Sequence, residues 1–309
     1  MIDASWHAAL SEQQVAAVES LLDRVRDADG VSAVSEHTHL HIRASKGADE
    51  SHLLLTGAGH VLGYAHLAAG EPPVAELLVD PEARGRGLGT RLLSEVFAQS
   101  GPTVRVWAHG QLPAAASLAG RNGLVEVRRL CRYVRPLLNV PSLPIPAGFQ
   151  VRNYTPADAS SWLDLNAAAF RDLPDQGSWT ADDLADRTNA EWFDPEGFLL
   201  AFDEQGLAGF HWTKVHGGTG HAHSRIGEVY VLAVAQRARG TGLAPALTVA
   251  GLRHLRDLGL STVMLYVDSS NHAAVAMYTR LGFEPADCDV QYARGVDATA
   301  VGLSGTLGT

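Results

Sequence analysis

One glycine-rich sentence occurs twice in this chain. The first copy reads Val79-Asp80-Pro81-Glu82-Ala83-Arg84-Gly85-Arg86-Gly87-Leu88-Gly89, and the second Val234-Ala235-Gln236-Arg237-Ala238-Arg239-Gly240-Thr241-Gly242-Leu243-Ala244. Arg84 aligns with Arg239, an offset of 239 − 84 = 155 residues. That interval is too long for a solenoid repeat and right for a duplicated domain. Each copy follows an apolar, strand-like run and opens a helical stretch. Each therefore aims a turn of backbone N–H groups, and the positive end of a helix, at an anion. The 309 residues suffice for two domains with separate cores. With 46% hydrophobic and 19% charged residues, the composition is that of a globular, soluble chain.

The formal charge of −10 argues against broad nucleic-acid binding and weakly favours an acceptor carrying an amine. No apolar run approaches membrane-spanning length, and Met1 to Leu10 is not a basic-then-apolar leader. With only Cys131 and Cys288, both read as buried thiols, a reducing cytosol is the expected address.

Pro136, Pro141, Pro144 and Pro146 mark a semi-extended linker. The expected division is an N-terminal domain at 1–136, a linker at 137–148 and a C-terminal domain at 149–309. In the second half, strands are expected at Phe149 to Tyr154, Phe198 to Asp203, Leu207 to His216, Glu228 to Val234, Thr262 to Val267 and Phe283 to Arg294. Pro285 should interrupt the last of these. Helices are expected at Asp158 to Phe170, from Thr180 with Asp183 as a capping partner, at Gly242 to Leu258, and at Asn271 to Leu281 before Gly282. The first half should carry strands at Val61 to Leu67, Val74 to Val79 and Thr103 to Trp107. Its helices fall at Ser11 to Ala28, Leu88 to Gln99 and Ala114 to Arg121. The fold class is two α/β domains in tandem, each with a mixed, α+β-type sheet.

The turns are neither a dinucleotide fingerprint, since Gly85, Gly87 and Gly89 are spaced G-x-G-x-G, nor a Walker loop, since no Gly-Lys-Ser/Thr ending follows. What remains is Arg-x-x-Gly-x-Gly/Ala, met twice. In this the chain resembles the GNAT N-acetyltransferase superfamily. The resemblance implies that the turns hold the pyrophosphate of acetyl-CoA through Gly85, Arg86, Gly87, Leu88, Gly89 and Thr90, and through Arg239, Gly240, Thr241, Gly242, Leu243, Ala244 and Pro245. It implies that the strands Leu77, Leu78, Val79 and Leu232, Ala233, Val234 pair with the pantetheine arm. The later helix start, Asn271, His272, Ala273, Ala274, Val275 and Ala276, would also bind cofactor.

The two halves differ in chemistry. Gly123 aligns with Gly282, an offset of 282 − 123 = 159, which sets Tyr278 opposite Ala119, Asn271 opposite Leu112 and Asp268 opposite His109. Glu228 falls opposite Pro73 under the earlier offset. The second half is therefore expected to catalyse and the first to bind or support. Acetyl transfer needs a base to free the amine lone pair, for which Glu228 is the candidate, through a water. Tyr278, at the family position for the acid, would protonate the leaving thiolate. A strand amide near Leu232 would polarise the thioester carbonyl.

Longer strings resemble one family within that superfamily, the mycothiol synthases. They include Gly209-Phe210-His211-Trp212-Thr213-Lys214-Val215-His216, Gly227-Glu228-Val229-Tyr230-Val231-Leu232, Leu265-Tyr266-Val267-Asp268-Ser269-Ser270-Asn271, Glu191-Trp192-Phe193-Asp194-Pro195 and Trp107-Ala108-His109-Gly110. The resemblance implies acetyl transfer to the cysteinyl amine of desacetylmycothiol, with Glu36, Asp175, Lys214, Glu228 and Tyr266 as acceptor contacts. Asp175 stands where a glutamate is expected, and the histidine-rich segment Gly217 to Ile226 is longer than expected. Another small amine, or a role as an acyl-CoA sensor, are the alternatives. His37, His39 and His41 alternate and on a strand would share a face, and His216, His221 and His223 pose the same question. No metal is expected, the histidines being read as solvated or partner-bonded. A monomer with no nucleic-acid or membrane partner is expected.

Overall fold

The computed structural model of the protein describes residues 2–43, 50–171, 174–217 and 225–295. The first-half elements are β1 (Ile2–His7), α1 (Glu12–Asp29), α2 (Glu36–Arg43), β2 (Glu50–Gly57), β3 (His60–Ala68), β4 (Val74–Val79), α3 (Leu88–Ser100), β5 (Arg105–Ala108), α4 (Pro113–Arg121) and β6 (Leu124–Pro136). The second half continues with β7 (Gln150–Asn153), α5 (Ala159–Ala169), α6 (Pro174–Gly177), α7 (Ala181–Thr188), β8 (Phe198–Asp203), β9 (Gly206–His216), β10 (Ile226–Val234), α8 (Leu243–Asp257), β11 (Thr262–Asp268), α9 (His272–Arg280) and β12 (Glu284–Arg294).

These elements form two compact units, Met1–Leu130 with the segment from Asp287, and Cys131–Ala286. The cut differs from the proline-run boundary because two long strands each divide between units. Residues 287–294 of β12 belong to the first unit, where Val290, Gln291 and Tyr292 pair with Ala108, Trp107 and Val106 of β5. Residues 131–136 of β6 belong to the second. Hydrogen bonding, rather than proline content, decides which core a strand joins. Pro285 does not break β12.

In the first unit the strand order is β1-β2-β3-β4-β5-β12. Alternate residues of β2 face opposite ways, as the pleat requires. Leu53 and Leu55 pack with Leu92 and Val96 of α3, while Leu54 packs with Val18 and Leu21 of α1. The sheet is thus sandwiched between helices. α1 begins with a complete Ser11/Gln14 capping box and ends at Gly30, whose φ of 73° permits the left-handed stop.

The second unit runs β6-β11-β10-β9-β8-β7 and repeats the plan. Trp162 of α5 packs with Phe198, Leu200, Phe210 and Trp212 on one face. Leu243 and Leu247 of α8 pack with Ala201 and Ala208 on the other. Thr180 and Asp183 form the expected capping box on α7.

Two further expectations are corrected. His37, His39 and His41 lie on helix α2, not on a strand. Thr38 and Ile42, four residues apart and each 2% exposed, are the buried face that makes this stretch a helix. Cys131 and Cys288 are not free thiols; both are disulfide-bonded. Among the described residues no helix is long and apolar enough to cross a membrane.

Candidate active site

In both units, parallel strands pair briefly and then part. β4 and β5 are in register from Val74↔Arg105 to Glu76↔Trp107, and β10 and β11 from Gly227↔Val263 to Val229↔Leu265. Beyond these points the described parallel register ends, and Leu77–Val79 and Leu232–Val234 are paired only on their other side, with β3 and β9. Such an edge can pair with an amide-bearing chain as another strand would. In the second unit the antiparallel register shifts between Val229↔Thr213 and Val231↔Trp212, a β-bulge at Tyr230.

Each glycine turn is built alike. Gly85 and Gly87 have φ of 74° and 80°, and Gly240 and Gly242 have φ of 76° and 86°. Only glycine adopts these angles without penalty. Gly87 and Gly242 are the N-caps of α3 and α8 and, lacking side chains, make no cap hydrogen bond of their own, while the Leu243 N–H at the start of α8 donates to Thr241 Oγ1 at 3.4 Å. The remaining helix-start N–H groups suit an anion. Leu112 and Asn271 cap α4 and α9 at equivalent places, which agrees with the offset of 159 in the sequence; Asn271 accepts from the Ala274 N–H at 3.1 Å. Its neighbours His272 and Ala273 are exposed on the first turn of α9, with Ala274, Val275 and Ala276 following.

A cleft of about 540 Å³ opens in the first unit. Leu77, Leu78, Val79, Gly85, Gly87, Leu88, Gly89 and Thr90 line it, as expected for a cofactor groove; the exposed Arg86 does not. Arg84 also lines the cleft, yet its guanidinium is held by Asp29 in a bidentate pair at 2.8 Å. The Asp29 hydrogen bond raises its pKa. Arg239, its counterpart, is exposed and makes no ion pair among the described residues.

The first cleft contains an ionisable group at the position opposite Asp268, but it is locked. His109 sits between Glu76 (Nε2 to Oε1, 3.1 Å) and Asp289 (Nδ1 to Oδ2, 3.0 Å). Burial would lower its pKa, yet the two carboxylates carry it up to about 10. Glu76 is 4% exposed and also accepts the Ser35 N–H at 3.0 Å. Burial works against its charge, and the hydrogen bond and charge of His109 together with hydrogen bonds from Thr38 and the Ser35 N–H outweigh that and lower its pKa. An imidazolium with both nitrogens engaged is not a base.

The second unit differs. Glu228 lies on β10 opposite Lys214 of β9 and is 7% exposed. His216 Nε2 lies 2.7 Å from its Oε2. Lys214 is 4% exposed, and its ammonium lies 4.5 Å from the Trp192 ring centre and 5.0 Å from that of Tyr230. Arg187 donates to the Tyr230 hydroxyl at 3.1 Å. These groups make a carboxylate and a cation beside an aromatic wall at the bulge. Tyr278 is on α9, packed with Val229 and Leu232 and edge-on to Phe283. Burial raises its pKa, so the phenol stays protonated, and among the described residues no hydrogen bond occupies its hydroxyl.

Tyr266 is exposed on β11, and Asp268 is engaged by Ser270 in the following turn. Pro245 lies on the first turn of α8. Asp175 lies in the short α6, and Glu36 is exposed on the first turn of α2 in the first unit. His221 and His223 lie outside the described residues. Sequence reasoning missed the His216–Glu228 pair and the Tyr230–Trp192 wall around Lys214. The strings containing them were visible, but the pairing depends on strand register.

Comparison with known proteins gives consistent results. The acetyltransferase (GNAT) family model matches residues 160–283, and an acetyltransferase (GNAT) domain model matches 48–123. A mycothiol acetyltransferase of Rhodococcus jostii is 48% identical, over 94% of this chain and 98% of its own length. That of Streptomyces coelicolor is 47% identical over 92% and 93%. Among solved structures, a tandem GNAT protein from the clavulanic acid biosynthesis pathway superposes with a TM-score of 0.71 at 19% identity, covering 96% and 99%. A GCN5-related N-acetyltransferase from Sphaerobacter thermophilus gives 0.69 at 23%, covering 96% and 97%.

Proposed function

This chain belongs to the mycothiol acetyltransferase family of tandem GNAT proteins and is an acyltransferase, and we propose that its second unit acetylates the cysteinyl amine of desacetylmycothiol from acetyl-CoA. The acceptor is the Cys-GlcN-inositol pseudodisaccharide, and the step is the last in mycothiol synthesis. The observation that carries the assignment is Glu228: a carboxylate on the strand that also offers the free edge, hydrogen-bonded to His216.

In this reading acetyl-CoA lies with its pyrophosphate on the Gly240–Ala244 turn and its pantetheine along Leu232–Val234. Glu228, through a water, takes the proton from the acceptor ammonium. The freed nitrogen attacks the thioester carbonyl carbon, whose oxygen gathers charge near the Leu232 amide. The tetrahedral intermediate loses the second nitrogen proton to water and collapses, the C–S bond breaks, and Tyr278 gives its proton to the departing thiolate and regains one from solvent. Lys214, Tyr266 and Asp175 donate to and accept from the acceptor's hydroxyls. The first unit binds coenzyme or supports the fold without turnover, since His109 and Glu76 are mutually occupied. A monomer fits this reading, because the duplication provides two GNAT folds in one chain.

The test is release of free CoA thiol from acetyl-CoA on adding desacetylmycothiol, compared with an aminoglycoside and polyamine panel by kcat/KM. Release that is selective for desacetylmycothiol is expected. No release, or preference for another amine, would contradict the proposal.

A further inference from the structure

The first unit carries a histidine cluster that acetyl transfer does not use. Helix α2 places His37 and His41 one turn apart on the same face, with ring centres 4.1 Å apart. Glu50, the first residue of β2, brings its carboxylate to them. Its Oε1 lies 3.2 Å from His37 Nε2 and 3.8 Å from His41 Nε2. The candidate donor atoms of the three residues all lie within 4.8 Å of one another.

Tautomers sharpen the picture. His41 Nδ1 lies 2.8 Å from the His37 carbonyl oxygen, which can only accept, so Nδ1 carries a hydrogen. In the neutral ring the lone pair is then on Nε2, facing a carboxylate oxygen at a distance too long for a hydrogen bond. Glu50 Oε1, which is hydrogen-bonded to His37 Nε2 at 3.2 Å, is thus approached by two histidine nitrogens, and a metal ion can take the place of the bridging proton.

The other carboxylate oxygen is held separately. His66 is 2% exposed, and its Nε2 stands 2.5 Å from Glu50 Oε2. Both atoms are buried, and this close contact helps lower the Glu50 pKa. His66 Nδ1 is fixed by Thr38 Oγ1 at 2.9 Å, also on α2. His66 thus orients Glu50 as outer partners orient metal ligands.

We propose that His37, His41 and Glu50 bind a divalent transition-metal ion of the zinc class, with His66 as a positioning residue. Zinc bonds to nitrogen and oxygen of about 2.0–2.2 Å set tetrahedral donor separations of about 3.3–3.5 Å, between the two distances to Oε1. Two imidazoles and one carboxylate suit zinc, whereas calcium and magnesium prefer all-oxygen sets. A fourth position is left for water. The ion would tie α2 to the start of β2. This departs from the sequence expectation that these histidines bind no metal.

The test uses the full-length, tag-free chain with His221→Ala and His223→Ala, which removes the other histidine-rich segment as a competitor. Cobalt(II) is titrated and followed by its visible absorption, with zinc retention after dialysis as a second readout. The expected result is a saturable tetrahedral cobalt spectrum displaced by zinc. It should persist in His39→Ala, whose side chain is exposed off this face. His41→Ala and Glu50→Gln should weaken binding by about 10-fold or more, and His66→Ala by about 10–100-fold, as measured for outer-shell changes. If Glu50→Gln does not fold, His41→Ala against His39→Ala decides. Absence of the spectrum, or equal loss in His39→Ala and His41→Ala, would overturn the proposal.

Discussion

At the scale of single residues, the proposed mechanism divides labour between Glu228 and Tyr278. Glu228→Gln keeps the shape and removes the base, so kcat should fall by about 10²–10⁴-fold while acetyl-CoA still binds, measured by thiol release and by calorimetry. His216→Ala should lower kcat less, because it removes the partner of Glu228 and leaves the carboxylate. A fall in kcat equal to that of Glu228→Gln would make His216 the base instead. Glu228 and Tyr278 stand out as candidates because the repeat itself reveals what one half has and the other lacks. His216 was not, since its contact needs the strand return that brings residues 216 and 228 face to face. The role of His109 was also hidden: only the fold brings Asp289 and Glu76 to its two nitrogens.

At the scale of elements, the glycine turns are the repeated device. An aspartate at a left-handed φ combines backbone strain of about 1–2 kcal/mol with charge repulsion toward a pyrophosphate. Gly242→Asp should therefore raise KM for acetyl-CoA by about tenfold or more, a change of roughly 1.4 kcal/mol. Gly87→Asp should abolish coenzyme binding at the first turn, read by calorimetry, with a much smaller change in kcat/KM. Equal kinetic damage from both would contradict the division of labour. Packing offers a second check in α8. A Cβ at Gly251 would stand 2.2 Å from the buried His211 ring, so Gly251→Ala should lower stability, by about 1–3 kcal/mol in urea unfolding. Most helices and strands were readable from periodicity and caps, as α1 and α7 show. α2 was not, because alternating histidines imitate a strand while the four-residue spacing of Thr38 and Ile42 carries the helix signal.

At the scale of the molecule, buried charge makes stability depend on pH from both sides. Burial holds His52 and His211 down to about 4 from 6.5. Between these values the unfolded chain binds protons the folded chain refuses, so stability falls as pH drops from 6.5 toward 4. His109, buried but raised to about 10 by its carboxylates, acts oppositely. Its contribution is whole below pH 6.5 and is lost as pH climbs through 10. Thermal unfolding across pH should peak near neutrality, and His109→Ala should flatten the alkaline limb while destabilising by about 3–5 kcal/mol, since two buried carboxylates lose their partner. An unchanged alkaline limb would contradict this account of His109. The tandem fold was legible from one repeated turn, whereas the assignment of residues 287–294 of β12 to the first unit was not, because strand pairing over that distance leaves no local mark.

The central claim is that duplication left two coenzyme cradles and one catalytic centre. A crystal structure of the ternary complex with CoA and desacetylmycothiol tests it most directly. The account predicts the acceptor nitrogen beside Glu228, facing the thiol end of coenzyme on the Gly240–Ala244 turn. An acceptor nitrogen beside Glu76 and His109 in the first unit would contradict it.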